Sequence, residues 1–331
     1  MPGLGTVMTL ADLAVSHGIG KNDPIVEMLH KSTPLIQDMA FRNGNQVDGH
    51  KFKVRAGLPG VTWRAINEGV TPTRSASKVV RETCAMLEAV SEADKDLIDL
   101  EDDRALARLE ESAAFIEAMG QEFAQAVWYG DTGFEPRGIM GLSKRYGSLT
   151  GPAQKYIIDC GGTGNENASI WLIIHSTMSF FGVVPKNGKI GLQHIASGVI
   201  DLIDPDNNGT YQGYRDRFKW QVGLCLKDYR QIVRACNIDV TKLPTFGTAS
   251  DQSAHLLEVV NTMTNRIQDL TAGRAVLYMN RTLKEYWEKQ LLTSHYIEKN
   301  MDQATGAITT SYKGIPIHVD DMLLETEERV V

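Results

Sequence analysis

The chain has 331 residues, of which 42% are hydrophobic and 23% are charged, so it can bury a core in one large domain or in two to three modest ones. Its formal net charge of −7 argues against a nucleic-acid binder that works by neutralising phosphates. No stretch approaches the roughly eighteen apolar residues that a membrane-spanning helix needs, and no signal peptide is predicted.

Residues 1–45 predict an N-terminal arm. Residues 1–20 are rich in glycine around one short apolar piece, which is too small to fold alone. Asp23 and Pro24 suit the N-cap and the first position of a short helix, which is expected to be broken at residues 33–36. We therefore expect this segment to lie on another surface.

Residues 46–100 predict an extended loop between flanking strands. Residues 50–55 alternate polar and apolar side chains, as a half-buried strand does, and residues 86–90 suit the returning strand. Turn-forming residues are dense between them. Because an isolated hairpin is marginally stable in water, a hairpin this long implies a partner surface.

A long helix is predicted from Glu101 to Tyr129. Apolar residues recur along it at alternating steps of three and four, and acidic residues occupy its first turn. Such a helix is about 40 Å long at about 1.5 Å per residue. The residues alone leave two interpretations open, a core helix and a coiled-coil segment.

The remaining chain divides into a β-rich part and an α+β part. Apolar runs predict strands at residues 171–174, 180–184, 218–224 and 229–238. After Pro244 the pattern changes, because helical spacing follows at residues 253–270 and a second helix at residues 281–292 has Asn280 as its predicted cap. Lys313-Gly314 predicts the turn of a hairpin between two short strands.

The sequence contains few motifs that indicate catalysis or ligand binding. The sequence has no phosphate loop, zinc-protease motif or nucleophile elbow, and its eight histidines form no pair at ligand spacing. The four cysteines show no paired spacing, so we predict free, mostly buried thiols in a reducing compartment. We therefore expect no catalytic residue, no cofactor and no metal site.

Two acidic motifs of the sequence have plain structural interpretations. Asp204, Asp206 and Asn208 match the first half of a calcium loop, but Arg215 stands where a bidentate glutamate is needed, which favours a tight turn. We interpret the acidic run as a solvated face that leads into the long helix, not as catalytic carboxylates. This run contains Glu92, Asp94, Asp96, Asp99 and Asp102.

Several stretches, taken in order, resemble the major capsid proteins of tailed bacteriophages, in particular of short-tailed ones. The family's extended loop resembles Gly57-Leu58-Pro59, Trp63-Arg64, Asn67, Gly69-Val70 and Pro72. The strand that leads into its long helix, and the segment that ends that helix, resemble residues 86–91 with Asp94, and residues 129–131 with Pro136, Gly138-Ile139 and Gly141-Leu142. Further matches follow at residues 168–171, 234–239, 277–281 and 314–317.

The resemblance covers nearly the whole chain and implies an α+β fold, the Hong Kong 97-type phage capsid fold. Under it the long helix is the spine helix of a peripheral domain and packs on a sheet, and the neighbouring subunit supplies the support that the hairpin lacks. The expected division is an N-terminal arm at 1–45, an extended β-hairpin loop with flanking strands at 46–100, the spine helix at 101–145, a β-rich peripheral or insertion region at 146–240, and an axial α+β domain with the C-terminal strands at 241–331.

The resemblance also implies a structural protein rather than an enzyme. Copies of the chain are expected to assemble into hexamers and pentamers of an icosahedral shell around phage double-stranded DNA, without sequence-specific binding to that DNA. The expected partners are the chain itself, a portal and a separate scaffolding protein, since the predicted arm begins almost at Met1; a cement or decoration protein stays open. The expected location is the capsid of the virion, after assembly in the host bacterial cytoplasm, with no membrane contact.

Some members of this family join their subunits by a lysine–asparagine isopeptide bond. Lys51, Lys53 and Lys78 lie in or near the loop, but nothing in the sequence identifies an acceptor or a catalytic acid. We therefore predict that subunits interlock without covalent bonds, through the extended loop and the N-terminal arm.

The hypothesised subunit-interface residues lie near the tip of the loop, because aromatic residues and arginine dominate interface energetics. They are Leu58, Trp63, Arg64, Asn67 and Arg74. The alternative for Trp63 is that it packs inside its own hairpin. Alternatives for the whole chain are an encapsulin-like nanocompartment shell, a soluble metabolic enzyme and, more remotely, a calcium-dependent binding module.

Overall fold

A computed structural model of the chain describes residues 31–100, 104–204, 208–247, 252–293, 299–301 and 308–331. The helix predicted at Asp23, the apolar piece of the arm and Asp206 of the acidic turn lie outside these residues. The helix predicted to break at residues 33–36 is contradicted in one respect. A helix begins there, with Pro34 in its first turn, where a missing N–H costs nothing.

Six α-helices and thirteen strands lie in the described residues. The helices are α1 (Pro34–Asp38), α2 (Lys95–Asp99), α3 (Arg104–Tyr129), α4 (Leu142–Arg145), α5 (Leu256–Arg266) and α6 (Arg281–Thr293). The strands are β1 (Phe41–Asn43), β2 (Gly49–Gly57), β3 (Ala76–Asp94), β4 (Ile157–Asp159), β5 (Asn167–His175), β6 (Phe180–Val184), β7 (Gln193–Ile203), β8 (Thr210–Leu226), β9 (Ile232–Asp239), β10 (Arg274–Met279), β11 (Lys299–Met301), β12 (Ile308–Tyr312) and β13 (Ile315–Val319). Short 3₁₀ turns lie at Gln154–Tyr156, Tyr229–Gln231, Val240–Thr245 and Leu270–Ala272.

All thirteen strands join into one hydrogen-bonded network. Its centre is β5, which pairs antiparallel with both β9 and β10. On one side β10 pairs with β13, and β12 and β11 follow. On the other side the path runs through β6, β8 and β3 to the edge strand β2, while β7 pairs with β8.

Strand β5 is buried along its whole length because both faces of the sheet are covered. Trp171 and Ile173 belong to the core cluster that contains the long helix, and Ile170 and Leu172 belong to the cluster that contains α5 and α6. A strand covered on both faces needs apolar side chains at every position rather than at alternate ones. This explains the continuous apolar run that predicted it.

The long helix, α3, is confirmed from Arg104 to Tyr129, and it packs on the sheet. The Trp128 ring lies 5.6 Å from the Trp171 ring, and the Phe123 ring lies 4.6 Å from the Trp220 ring, measured between centroids. The Trp128 indole N–H donates to the buried carboxylate of Asp320 at 3.1 Å. The sheet therefore takes the helix face that a coiled-coil partner would otherwise cover. No helix among the described residues is long and apolar enough to cross a membrane.

Strands β2 and β3 form the hairpin that the sequence predicts, but residues 86–90, predicted as its returning strand, do not pair with β2. Strand β3 pairs with β2 from Ala76 to Thr83 and then exchanges partner, pairing with β8 from Cys84 to Asp94. The inner half of β3 therefore receives its hydrogen bonds from β8 of the same chain. Support of the hairpin by a neighbouring subunit stays a prediction.

The predicted helix cap and hairpin turn of the C-terminal part are confirmed, whereas the helix predicted over residues 253–270 is shorter and spans Leu256–Arg266. The Asn280 side chain accepts a hydrogen bond from the Leu283 N–H at 2.8 Å and caps α6. Lys313 and Gly314 have φ values of 52° and 77°, the left-handed conformation that a two-residue hairpin turn requires.

Candidate assembly surface

The outer half of the hairpin projects from the body as a two-stranded arm. We call these paired strands the arm, as distinct from the N-terminal arm of residues 1–45. Strands β2 and β3 pair from Gly49 opposite Thr83 to Gly57 opposite Ala76, with an irregularity between Arg55 and Gly57. Nine residues at about 3.3 Å each give an arm about 30 Å long. Residues 58–75, which we call the loop tip, connect the two strands without a helix or a strand of their own.

The loop tip exposes large apolar side chains to solvent. Trp63 has an exposed fraction of 102%, Val61 of 95%, Ile66 of 91% and Leu58 of 79%. The alternative in which Trp63 packs inside its own hairpin is therefore wrong for the single chain. Large apolar side chains exposed close together in one segment are typical of interaction sites in soluble proteins.

The polar residues of the loop tip shape it. The side chain of Glu68 accepts from the Ala65 N–H at 3.0 Å, and Asn67 adopts a left-handed φ of 67° in the same turn. The Thr73 hydroxyl donates to the Gly60 carbonyl at 2.8 Å and ties the outgoing side of the tip to the returning side. Asn67 thus lies within this turn, and Trp63 and Arg64 directly precede it in the chain. Leu58 and Arg74 lie on the outgoing and returning sides of the loop tip, and Arg64 and Arg74 are exposed.

Two contacts fix the arm to the body. Arg145 and Glu82 form a two-pronged ion pair with N–O distances of 2.6 and 2.8 Å, and Arg145 also donates to the Met140 carbonyl at 3.1 Å. Asn45 hydrogen-bonds both backbone groups of Lys51, at 2.7 and 2.8 Å. An arm held in this way loses less freedom when it binds, which favours affinity.

The arm and the loop tip carry charge opposite to that of the remaining chain. Residues 51–81 hold seven lysines and arginines against one glutamate, a net charge of +6, so the remaining 300 residues carry −13. This change in charge along the chain is visible in the sequence. The ion pair of Arg145 with Glu82 was not, because its partners are far apart in the chain.

The acidic turn and the metal hypothesis can be tested in part. Arg215 pairs with Glu92 at 2.6 Å, which leaves it unsuited to a cation site. The Asp204 N–H donates to the Gly209 carbonyl at 2.8 Å. No group of three or more metal-ligating side chains occurs in the part of the chain that the structure describes.

Three features together define a shell-forming protein of the Hong Kong 97-type phage capsid fold. They are the arm with an apolar tip, the long helix on a sheet, and the α+β unit on the opposite face of that sheet. A chain from the cryo-electron microscopy structure of bacteriophage Epsilon15 matches with a TM-score of 0.76 and 28% identity, over 100% of this chain and 99% of that chain.

A family model described as major capsid protein GP7 matches residues 17–331, so the chain belongs to the major capsid protein GP7 family. This is a family of structural capsid proteins of phages, not of enzymes, and the chain is a component of a virion shell. The enzyme alternative and the calcium-module alternative are therefore wrong.

Other solved structures share less with this chain. A chain of the capsid of the native GTA particle has a TM-score of 0.45 and 11% identity, over 69% of this chain and 99% of that chain. A chain of the holo-SrpI encapsulin complex from Synechococcus elongatus PCC 7942 has a TM-score of 0.46 and 10% identity, over 71% and 98%. No curated protein matches the sequence.

Proposed function

We propose that copies of this chain form hexamers and pentamers that close into an icosahedral shell around phage double-stranded DNA. The loop tip of each subunit lies over an adjacent subunit and buries its apolar side chains there. The observation that carries this proposal is the loop tip itself, which projects on a fixed arm and exposes Trp63 completely. Closed symmetry is the usual outcome when identical subunits associate.

Five residues of the loop form the proposed interface. Leu58 and Trp63 supply apolar area, and Arg64 and Arg74 supply planar groups that bind carboxylates through two hydrogen bonds. Asn67 holds the left-handed turn between them. Each contact is modest, and their repetition around a closed shell makes the particle stable by multivalency.

The rest of the chain divides as the sequence suggests. Residues 1–45 act as the N-terminal arm, which lies along another subunit. Residues 46–100 form the loop with its strands, and residues 101–145 form the spine helix of the peripheral domain. Residues 146–240 complete that domain, and residues 241–331 form the axial domain at the centre of each capsomer. Assembly takes place in the host bacterial cytoplasm with a separate scaffolding protein and a portal, and a cement protein can brace the shell.

The proposal is tested by expressing the chain alone and together with a neighbouring scaffold gene, followed by sedimentation and negative-stain imaging. We expect shells, tubes or capsomer-sized rings in at least one condition. A monodisperse monomer or dimer in both conditions would contradict the proposed assembly.

The subunits should be joined without covalent bonds. Lys51, Lys53 and Lys78 lie on the arm, and we propose that they act as charges rather than as cross-linking amines. Virions boiled in detergent should therefore give a single band at the subunit mass on a gel. A ladder of multiples would show an isopeptide cross-link and would contradict this prediction.

Assembly should protect the loop tip from trypsin. Arg64 and Arg74 lie in an exposed segment without regular structure, which is where proteases cut folded proteins. Free subunits should be cut there within minutes, and assembled shells should be cut at least about tenfold more slowly, as measured by mass spectrometry of the fragments. Arg145, which is held in its ion pair, is the internal control and should resist in both states. Equal cleavage of free and assembled chains would place the loop tip outside any interface.

A further inference from the structure

A groove of about 780 Å³ lies at the root of the arm, between strand β2 and the segment that follows β8. Lys53 and Arg55 line it from β2, and Lys227 lines it from the opposite side. Met178 and Tyr229 also line it and expose 72% and 43% of their surface. The groove is thus open to solvent and has basic side chains on both of its walls.

The positive charge of this groove is not balanced within the described residues. Asp228 is the single acidic residue that lines it, and its carboxylate is bound by Arg230 at 2.8 and 2.9 Å. Lys53, Arg55 and Lys227 have no acidic partner in the described part of the chain. The groove therefore carries a net charge of +3, from four basic groups and one acidic group.

A further basic group stands behind the groove, beside the Phe181 ring. The Lys227 ammonium lies 5.0 Å from the ring centroid, and the Arg42 guanidinium lies 5.2 Å from the same centroid. Burial, and then the charge of Arg42, lowers the pKa of Lys227. Like charges held together in this way gain from an anionic ligand.

The basic residues of β2 form a row along one face of the strand. Alternate residues of a strand point to the same face, so Lys51, Lys53 and Arg55 share it, and all three are exposed. The row is about 13 Å long at about 3.3 Å per residue. Double-stranded DNA carries one negative charge per about 1.7 Å of its axis. The row can therefore contact several phosphates of one duplex.

Acidic residues of the neighbouring strands β3 and β8 are already paired within the chain. Three of them are bound at 2.6 to 3.1 Å, namely Glu88 by Lys219, Glu92 by Arg215 and Asp216 by Arg108. To fill the groove with these groups, a second copy of the chain would have to break such pairs, whereas the phosphates of DNA are neutralised by counterions that are released on binding. The charge of the groove therefore favours DNA over another subunit.

We propose that this groove, together with Lys51, binds the phosphates of double-stranded DNA and gives each subunit a point of contact with the packaged genome. The inference rests on the proposed function and names the site at which the shell meets its contents. The chain as a whole carries −7, so the attraction is confined to this surface. Lysine and arginine contacts to phosphate carry no sequence information, so the site binds DNA of any sequence.

The test is the binding of purified full-length subunits to a labelled duplex, followed by fluorescence anisotropy over a range of salt concentrations. If Lys51, Lys53, Arg55 and Lys227 each neutralise one phosphate, the logarithm of the binding constant should fall against the logarithm of salt concentration with a slope of about −3.6. Two duplexes of unrelated sequence should bind within about twofold of each other.

Arg55→Gln and Lys53→Gln should each reduce the magnitude of this slope by about 0.9 and weaken binding about tenfold in about 0.05 M salt. Lys78→Gln is the matched control, because Lys78 is exposed on the same arm but pairs with Val54 and so lies on the opposite face from Lys53 and Arg55. It should bind within about twofold of the wild-type chain. Circular dichroism of each subunit checks that the variants are folded, as expected for exposed positions.

Three results would overturn the site. They are wild-type binding by both groove variants, an equal loss in Lys78→Gln, which would show attraction to the charge of the whole arm, and displacement of the duplex by an equal concentration of a polyglutamate peptide, which would assign the groove to an acidic protein. A wild-type chain that binds the duplex but forms no rings or shells would instead overturn the proposed function, so the two failures are distinct.

Discussion

Replacing Trp63 with alanine should reduce assembly strongly while leaving the free subunit as stable as before. The side chain is fully exposed in the single chain, so its loss removes no intramolecular packing and should change the free energy of unfolding by less than about 0.5 kcal/mol. In the proposed interface it is a buried aromatic anchor, whose truncation costs about 2 kcal/mol or more per contact, roughly a 30-fold weaker association. Because each shell repeats the contact many times, the loss in particle yield should be larger still.

The measurement pairs two readouts of the same variant, the sedimenting fraction after assembly and the unfolding midpoint of the free subunit in urea. Phe134→Ala is the control, because Phe134 is a bulky aromatic residue with an exposed fraction of 91% on the turn after the long helix. It should leave particle yield within about twofold of the wild-type value. If Trp63→Ala lowers stability and yield together, Trp63 has a role in folding, and the interface hypothesis fails for this residue.

Replacing Glu327 with alanine should, in contrast to Trp63→Ala, greatly lower the stability of the free subunit. Glu327 and Arg234 form a nearly fully buried ion pair with an N–O distance of 2.9 Å. The Tyr129 hydroxyl donates to Glu327 at 2.6 Å, and the Ser169 hydroxyl donates to its other oxygen. Burial, followed by Glu327, raises the pKa of Tyr129 well above its ordinary value, so the phenol stays protonated and remains a donor.

This network connects parts of the chain that are distant in sequence. Arg234 also donates to the Tyr146 carbonyl at 2.9 Å and lies over the Trp171 ring at 5.0 Å from its centroid. Removing one partner of a buried pair leaves the other charge uncompensated, which costs about 3–5 kcal/mol. That is a large fraction of the roughly 5–15 kcal/mol by which a native domain is stable.

Urea unfolding followed by tryptophan fluorescence measures this loss, because Trp128 and Trp171 are fully buried beside the network. Glu328→Gln, at the adjacent exposed position, should unfold at the wild-type midpoint. The double variant Glu327→Leu with Arg234→Met removes both charges and should regain part of the lost stability. A Glu327→Ala midpoint equal to that of Glu328→Gln would show that the network contributes little.

The two variants separate two requirements of a shell protein. The body must keep its shape while many weak contacts form, and the buried ion pair of Arg234 with Glu327 serves that purpose. In the proposed assembly the loop stays available until a partner binds, and the exposed apolar tip on a fixed arm suits that purpose. Exposed apolar surface lowers solubility, and an arm ordered in advance loses less freedom on binding.

Local patterns in the sequence determined much of this structure. The steps of three and four between Glu101 and Tyr129 predicted the long helix, and alternation at residues 50–55 predicted strand β2, because each pattern records which face of one element is buried. Lys313-Gly314 predicted its turn because few residues adopt positive φ. The order of several weak motifs was sufficient to indicate the family.

The tertiary structure alone decided how these elements are combined. Nothing near Cys84 indicates that β3 exchanges β2 for β8 there, because pairing between distant strands leaves no periodic signal in either one. The same holds for the second covered face of β5 and for the ion pair of Arg145 with Glu82, since each depends on side chains brought together from distant segments. Charge composition could be read from the sequence, but the positions of the charges on the fold could not, because they depend on how β2, β3 and β8 pair.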